Sequence, residues 1–206
     1  MSDLASLGPG AGRRELTKAA NRAAILRAAG EVFAEIGFGA ASVRDVIRRT
    51  DLASGTFYNY FPDKESVLHA LIDEIAVEAR TRVRAARRDA GTAESFIAAG
   101  FRAYFAYLAE DPLRLDLLRR NAGTIRAMFE DPSVGAGVDE LRDDLAAAVS
   151  VGLMPAHDTA LMATAMMGAA LEVGFRMLDE PEPRIERAVA LLTTVFAAGL
   201  ERMGEL

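Results

Sequence analysis

Two short segments of helical periodicity, separated by a three-residue break, constrain this 206-residue chain more than any other feature. They lie in S-V-R-D-V-I-R-R-T-D-L-A-S-G-T-F-Y-N-Y-F-P-D-K-E-S-V-L, residues 42–68. Ser42 is a capping residue, and Val43, Val46 and Ile47 recur at helical spacing after it. Thr50-Asp51-Leu52 interrupts the pattern, with Asp51 expected in the left-handed conformation that a sharp turn favours. Ala53 or Ser54 then opens a second helix that buries Phe57 and Phe61, four residues apart. Its outward side carries Ser54, Gly55, Thr56, Tyr58, Asn59 and Tyr60. A third, longer helix starts near Asp63, which can cap it. A short helix with an apolar back and a hydroxyl-rich front, set after a turn, suits insertion into a DNA major groove.

An amphipathic helix is expected upstream from Thr17 to Ile36, with Ile25, Leu26, Ala29, Val32, Phe33 and Ile36 as its stripe. Gly37-Phe38-Gly39 ends it, and Phe38 is expected to plug a three-helix core. The runs R-A-A-I-L-R-A-A-G-E-V-F-A-E-I-G-F and G-T-F-Y-N-Y-F-P-D-K-E resemble the DNA-binding domain of the TetR family of bacterial transcriptional regulators, over about residues 20 to 68. The sequence departs from the family pattern at Asp51 (usually glycine), at Ala53 (usually serine, here one place later as Ser54) and at Tyr60 (usually histidine). The resemblance implies a DNA face of Ser42, Val43, Arg44, Ser54, Gly55, Thr56, Tyr58, Asn59, Tyr60 and Lys64. Ser42, Arg44, Tyr58 and Lys64 are expected on phosphates. Lys64 opposes the dipole in the first turn of its helix, a placement that a phosphate contact would explain.

Every apolar stretch outside this segment also has helical spacing, so the fold class is all-α. The expected organisation is a flexible N-terminal arm over 1–16, a helix-turn-helix head over 17–64, and a ligand-binding and dimerisation bundle over 65–206. Charge follows the same division. Residues 1–64 carry nine Lys/Arg against seven Asp/Glu, a balance of +2, and the remaining residues carry 15 against 23, a balance of −8. A mildly basic reader on an acidic body would show this asymmetry. Without cysteine there is no disulfide framework or thiolate metal site. The most apolar stretch, Ala160 to Leu171, reads as too short to span a bilayer, so no membrane partner and a cytoplasmic location are expected.

Catalysis is not expected. His69 and His157 are far apart and lack a ligand at helical spacing, and no nucleophile or phosphate-loop motif appears. Glu140, Asp143 and Asp144 lie on a helix among arginines and read as a solvated face. Arg80, Arg82, Arg84, Arg87 and Arg88 close the long helix, favour its C-terminal dipole and read the same way. No metal or other cofactor is implied.

A binding cavity is the better reading of the body, because helix bundles hold ligands between helices. Its candidate lining is Phe101, Tyr104, Phe105, Leu118, Met128, Met162, Met166 and Phe175, with Arg119, Asn121, Arg126 and Glu172 as polar anchors. Glu172 and Arg176, four residues apart, are expected to pair. The helix over 158–178 is apolar around its axis and is expected to meet its own core on one side and a second subunit on the other. With the last helix it would build a four-helix homodimer interface through Ala163, Met167, Gly168, Leu171, Leu192, Phe196, Gly199 and Met203. The run D-P-L-R-L-D-L-L-R-R-N-A-G-T-I-R is also similar to TetR-family regulators that sense long-chain acyl-CoA. That similarity implies an apolar tunnel for the acyl chain and Arg119, Arg120 or Arg126 for the phosphates. An unspecified apolar or aromatic effector stands beside it. The functional expectation is a ligand-responsive repressor that binds an inverted-repeat operator as a homodimer. A helical carrier or interaction module that does not bind DNA is the alternative.

Overall fold

The computed structural model describes residues 9–128, 136–180 and 182–203, and among them every regular element is an α-helix. The first, α1 (Pro9–Ile36), begins earlier than the sequence pattern suggests. Pro9 suits the first helical position, where its missing N–H costs nothing. Thr17, the expected start, lies within the helix, and its hydroxyl donates to Arg13 O at 2.9 Å. The part of the expected arm over 9–16 is therefore helical, and residues 1–8 lie outside the described residues.

α1 packs on α2 (Val43–Arg48) and the start of α4 (Lys64–Arg87), and α3 (Ser54–Tyr58) packs on α2. Ser42 and Asp45 form a capping box at the head of α2. The turn after α2 needs no left-handed residue: among the described residues only Gly37 and Gly152 have positive φ. Thr50 shapes it instead, donating its hydroxyl to Ile47 O at 2.9 Å and accepting from Leu52 N at 3.3 Å. Ala53 stands at the cap of α3 without a side-chain bond, and Ser54 is already helical, so it does not take over the capping role. Phe33, Val46, Phe57, Phe61, Val67 and Leu68 are buried between these helices. Ile36, expected on the buried stripe, is 43% exposed at the helix end. Phe38 sits edge-on to Phe33, with ring centres 5.4 Å apart.

The body comprises the rest of α4 with α5 (Ala93–Glu110), α6 (Pro112–Arg120), α7 (Ala122–Met128), α8 (Ala136–Ser150), α9 (Thr159–Leu178) and α10 (Ile185–Met203). Asp63, Thr92, Asp111 and Asp158 cap α4, α5, α6 and α9, each accepting backbone N–H groups. α5 packs between α4 and α10, and α8 lies along α9. The seam between head and body runs along α1 and α6 and is pinned by one buried amide. Asn121 donates to Phe33 O at 3.0 Å and Leu117 O at 2.7 Å and accepts from Phe38 N at 2.6 Å. Its capacity is spent on the joint, so Asn121 is not a ligand anchor.

α9 buries one face only. Ala163 and Met166 are enclosed, whereas Leu161 is 70% exposed. Its apolar window extends past Leu171 because Glu172 and Arg176 are the only charges before Met177; by length and composition, Thr159–Met177 could cross a membrane. In this fold its inner face belongs to the core. The expected interface residues divide accordingly. Ala163 and Leu192 are buried in their own protomer, and Phe196 packs 5.9 Å from Phe101. Ala163 and Leu192 cannot face a partner, whereas Phe196 is only half-buried. Each helix carries a second apolar stripe, and on α10 it is marked by Leu191 and Val195, both 56% exposed, and by Met203.

Candidate nucleic-acid interface and effector cavity

The front of α3 is open. Ser54, Gly55, Tyr58 and Asn59 are exposed, and the side chains of Ser54, Thr56, Tyr58 and Asn59 have no hydrogen-bond partner among the described residues. Tyr58 is 58% exposed yet held edge-on to the buried Phe57 ring at 5.3 Å, which fixes its direction. Tyr60 is half-buried, and its hydroxyl accepts from Asn21 Nδ2 at 3.3 Å. Arg44 is exposed, with no ion-pair partner among the described residues, whereas Val43 is half-buried and packs against the core. Ser42 Oγ donates to Asp45 at 2.5 Å. Lys64 has a structural task as well: its ammonium donates to Phe38 O and Ala41 O, both at 2.9 Å, and lies 4.4 Å from the Phe38 ring centre. One of its three N–H donors remains for an anion. Arg13, Arg14, Thr17 and Lys18 on α1 flank Tyr60 and extend this face.

A cavity of about 320 Å³ lies in the body between α4, α5, α6, α7, α8 and α9. Of the residues expected to line it, Phe101, Tyr104, Leu118, Met166 and Phe175 do so. Burial raises the Tyr104 phenol above its ordinary pKa and keeps it a neutral donor. Phe105, Met128 and Met162 are buried elsewhere in the core; Phe105 is covered by Gly174, where an added Cβ would approach its ring to 3.4 Å. The proposed polar anchors are absent from the wall. Arg126 grips Glu172 with two bonds of 2.7 Å, and that pairing lowers the pKa of Glu172 on the outer surface. Arg176 is thus not the partner of Glu172. Arg119 is exposed and donates to Asp179 O at 3.3 Å, and Arg120 lays its aliphatic stem beside Gly37. Met167, Gly168 and Leu171, assigned from the sequence to a dimer interface, border the cavity, and Gly168 is exposed.

The polar end of the cavity is one that the sequence pattern concealed. Arg80, Arg84 and Arg87 line it from α4, and Glu140 and Asp144 face them from α8. Arg80 Nε lies 3.2 Å from Glu140, Arg84 Nη2 3.5 Å from Asp144, and Arg87 Nη1 3.8 Å from Asp144. Arg84 and Glu140 keep the solvated character expected of them, at 58% and 41% exposed, whereas the Arg87 side chain is only 9% exposed. The available signal was spacing, since 80, 84 and 87 continue the apolar stripe of α4 through Ile72, Ala76 and Ala79.

A helix-turn-helix head with an exposed polar reading face, joined by one continuous helix to a hollow helical body, defines the architecture of a DNA-binding regulator. Residues 25–71 match the family model of bacterial regulatory proteins, tetR family. The chain is similar along most of its length to a TetR-family transcriptional regulator from Pectobacterium atrosepticum, with 24% identity and a TM-score of 0.73 over 91% of this chain and 96% of that one. It is similar to the fatty acid degradation regulator FadR from Bacillus halodurans, with 24% identity and a TM-score of 0.71 over 87% and 95%. FadR from Bacillus subtilis in complex with stearoyl-CoA gives 23% identity and a TM-score of 0.67 over 86% and 96%. The fold is that of TetR-family transcriptional regulators.

Proposed function

We propose that the chain is a cytoplasmic, ligand-responsive repressor that binds an inverted-repeat operator as a homodimer. The observation that carries this reading is the unpartnered front of α3, held by a helix whose other end walls the cavity. Ser54, Thr56, Tyr58, Asn59 and Tyr60 meet base edges, while Ser42, Arg44, Tyr58 and the free N–H of Lys64 meet phosphates; the backbone at Val43 and Gly55 allows close approach. Ligand acts by binding one spacing of the two heads better than another.

The test is a salt titration of the purified chain against DNA upstream of its own gene, followed by selection from random DNA. Saturable binding well above that to random sequence is expected. Tyr58→Phe with Lys64→Ala should weaken it about equally on all sequences and flatten its salt dependence. No sequence preference in either experiment would overturn the reading.

The second copy docks on the outer stripes of α9 and α10, where Leu161, Leu191, Val195 and Met203 are exposed. Leu191→Glu with Val195→Glu should yield a monomer in sedimentation and abolish operator binding; a variant that stayed dimeric would move the interface elsewhere. The effector is an apolar small molecule, for which the likeness to the two FadR structures, one of them holding stearoyl-CoA, supplies long-chain acyl-CoA as one candidate. Release or tightening of operator DNA by micromolar stearoyl-CoA tests that choice.

A further inference from the structure

Resting on the reading of the cavity as the effector site, we propose that its occupant is a monoanionic amphiphile whose carboxylate sits on Arg87 and whose apolar tail lies along α4. The order of residues on α4 sets this polarity. Ile72, Ile75, Ala76 and Ala79 line the cavity first, and Arg80, Arg84 and Arg87 line it after them. A ligand lying along this wall passes from an apolar to a cationic environment within two turns.

Charge fixes the valence. Among the described residues the ionised lining groups are three arginines and two carboxylates, an excess of one positive charge. The excess falls on Arg87. Arg80 and Arg84 each approach a carboxylate at 3.5 Å or less, whereas Arg87 has only the 3.8 Å contact to Asp144, which Arg84 shares. Its Nε is buried without a hydrogen-bond partner among the described residues. A guanidinium this enclosed costs free energy unless something charged and hydrogen-bonding meets it. Desolvation lowers its pKa to about 10, which still leaves it a cation at neutral pH. Its flat face is covered by the Phe96 ring, 4.7 Å from the ring centre to Cζ. Gly100 makes the room: a Cβ there would stand 2.5 Å from Nε and Nη2.

A planar fork of donors selects a planar carboxylate over a hydroxyl or an amide. When the carboxylate arrives, Asp144 is free to pair with Arg84 alone, and the contacts between α4 and α8 change with occupancy.

The experiment is calorimetric titration of the full-length chain with decanoate, 1-decanol and decanoyl-CoA. The acid and the alcohol share a tail length and differ at the head. Decanoate should bind at least tenfold tighter than decanol to the unmodified chain. In Arg87→Met that preference should disappear while decanol affinity is kept, and Arg87→Lys should restore part of it. Equal affinity for acid and alcohol overturns the inference and leaves the effector cavity standing, as does binding of decanoyl-CoA without decanoate. A decanoate preference that survives Arg87→Met moves the anion site off Arg87. Binding of none of the three overturns the cavity reading itself. The acid–alcohol comparison needs no variant, so misfolding of Arg87→Met would not remove the test.

Discussion

On the outer side of α3, Ser54, Tyr58 and Asn59 stand in solvent with no internal hydrogen-bond partner, while their backs are fixed by Phe57 and Phe61. In the body most polar side chains on or near the candidate site are already committed: Asn121 to three backbone groups, Arg126 to Glu172, Arg80 to Glu140. Arg87 is the exception there, enclosed and without a hydrogen bond among the described residues. The proposed recognition rests on groups the fold leaves unsatisfied, in water on the head and in a cavity in the body. A polar group near a site is weak evidence of binding once its own partners are counted.

That contrast can be broken at Asn121, where the largest effect is expected. Asn121→Ala would leave the Phe38 N–H and the Phe33 carbonyl without their partner and should cost about 3 kcal/mol. By size scaling this lowers the melting midpoint by roughly 10 °C. A midpoint within a degree or two of the parent would show that the joint does not depend on this amide. The front of α3 should behave in the opposite sense. Tyr58→Ala with Asn59→Ala is expected to weaken operator binding by about tenfold or more and to relax sequence preference, with the melting midpoint unchanged. A large loss of stability there would mean the front is structural after all. The smallest effect belongs to Glu172→Gln, which breaks an exposed ion pair and should alter neither stability nor ligand affinity. A changed ligand affinity would return Arg126 to the list of anchors.

The head was legible because periodicity, capping residues and the break at Thr50 all point to the same three helices, and local rules decide such short elements. Even there, Thr50 rather than Asp51 shapes the turn, since a hydroxyl bond to Ile47 O and a left-handed residue are alternative ways to bend the chain. In the body, helical spacing located α9 and α10 but not their facing. Both are apolar on two stripes, and composition cannot say which one meets the core; Leu192 faces inward and Leu191 outward. Arg87 was misread for the same reason, whereas Arg82, Arg84 and Arg88 are exposed as expected. A charge at the end of an exposed helix and a charge facing a cavity look identical in one dimension, and only the placement of α8 distinguishes them. Asn121 gave no local signal, because its partners Phe33 and Phe38 lie more than eighty residues away.

α4 has Lys64 at one end, bonded to the loop that precedes α2, and Arg87 at the other, facing the cavity. Its 24 residues make a rod of about 36 Å at ~1.5 Å per residue. A tilt of roughly 5° about the Arg87 end sweeps Lys64 through an arc of ~3 Å, close to the ~3.4 Å rise of one base step. On the proposed reading, a displacement at the cavity no larger than a side-chain adjustment would, at the far end of the rod, carry the front of α3 one rung along a DNA helix.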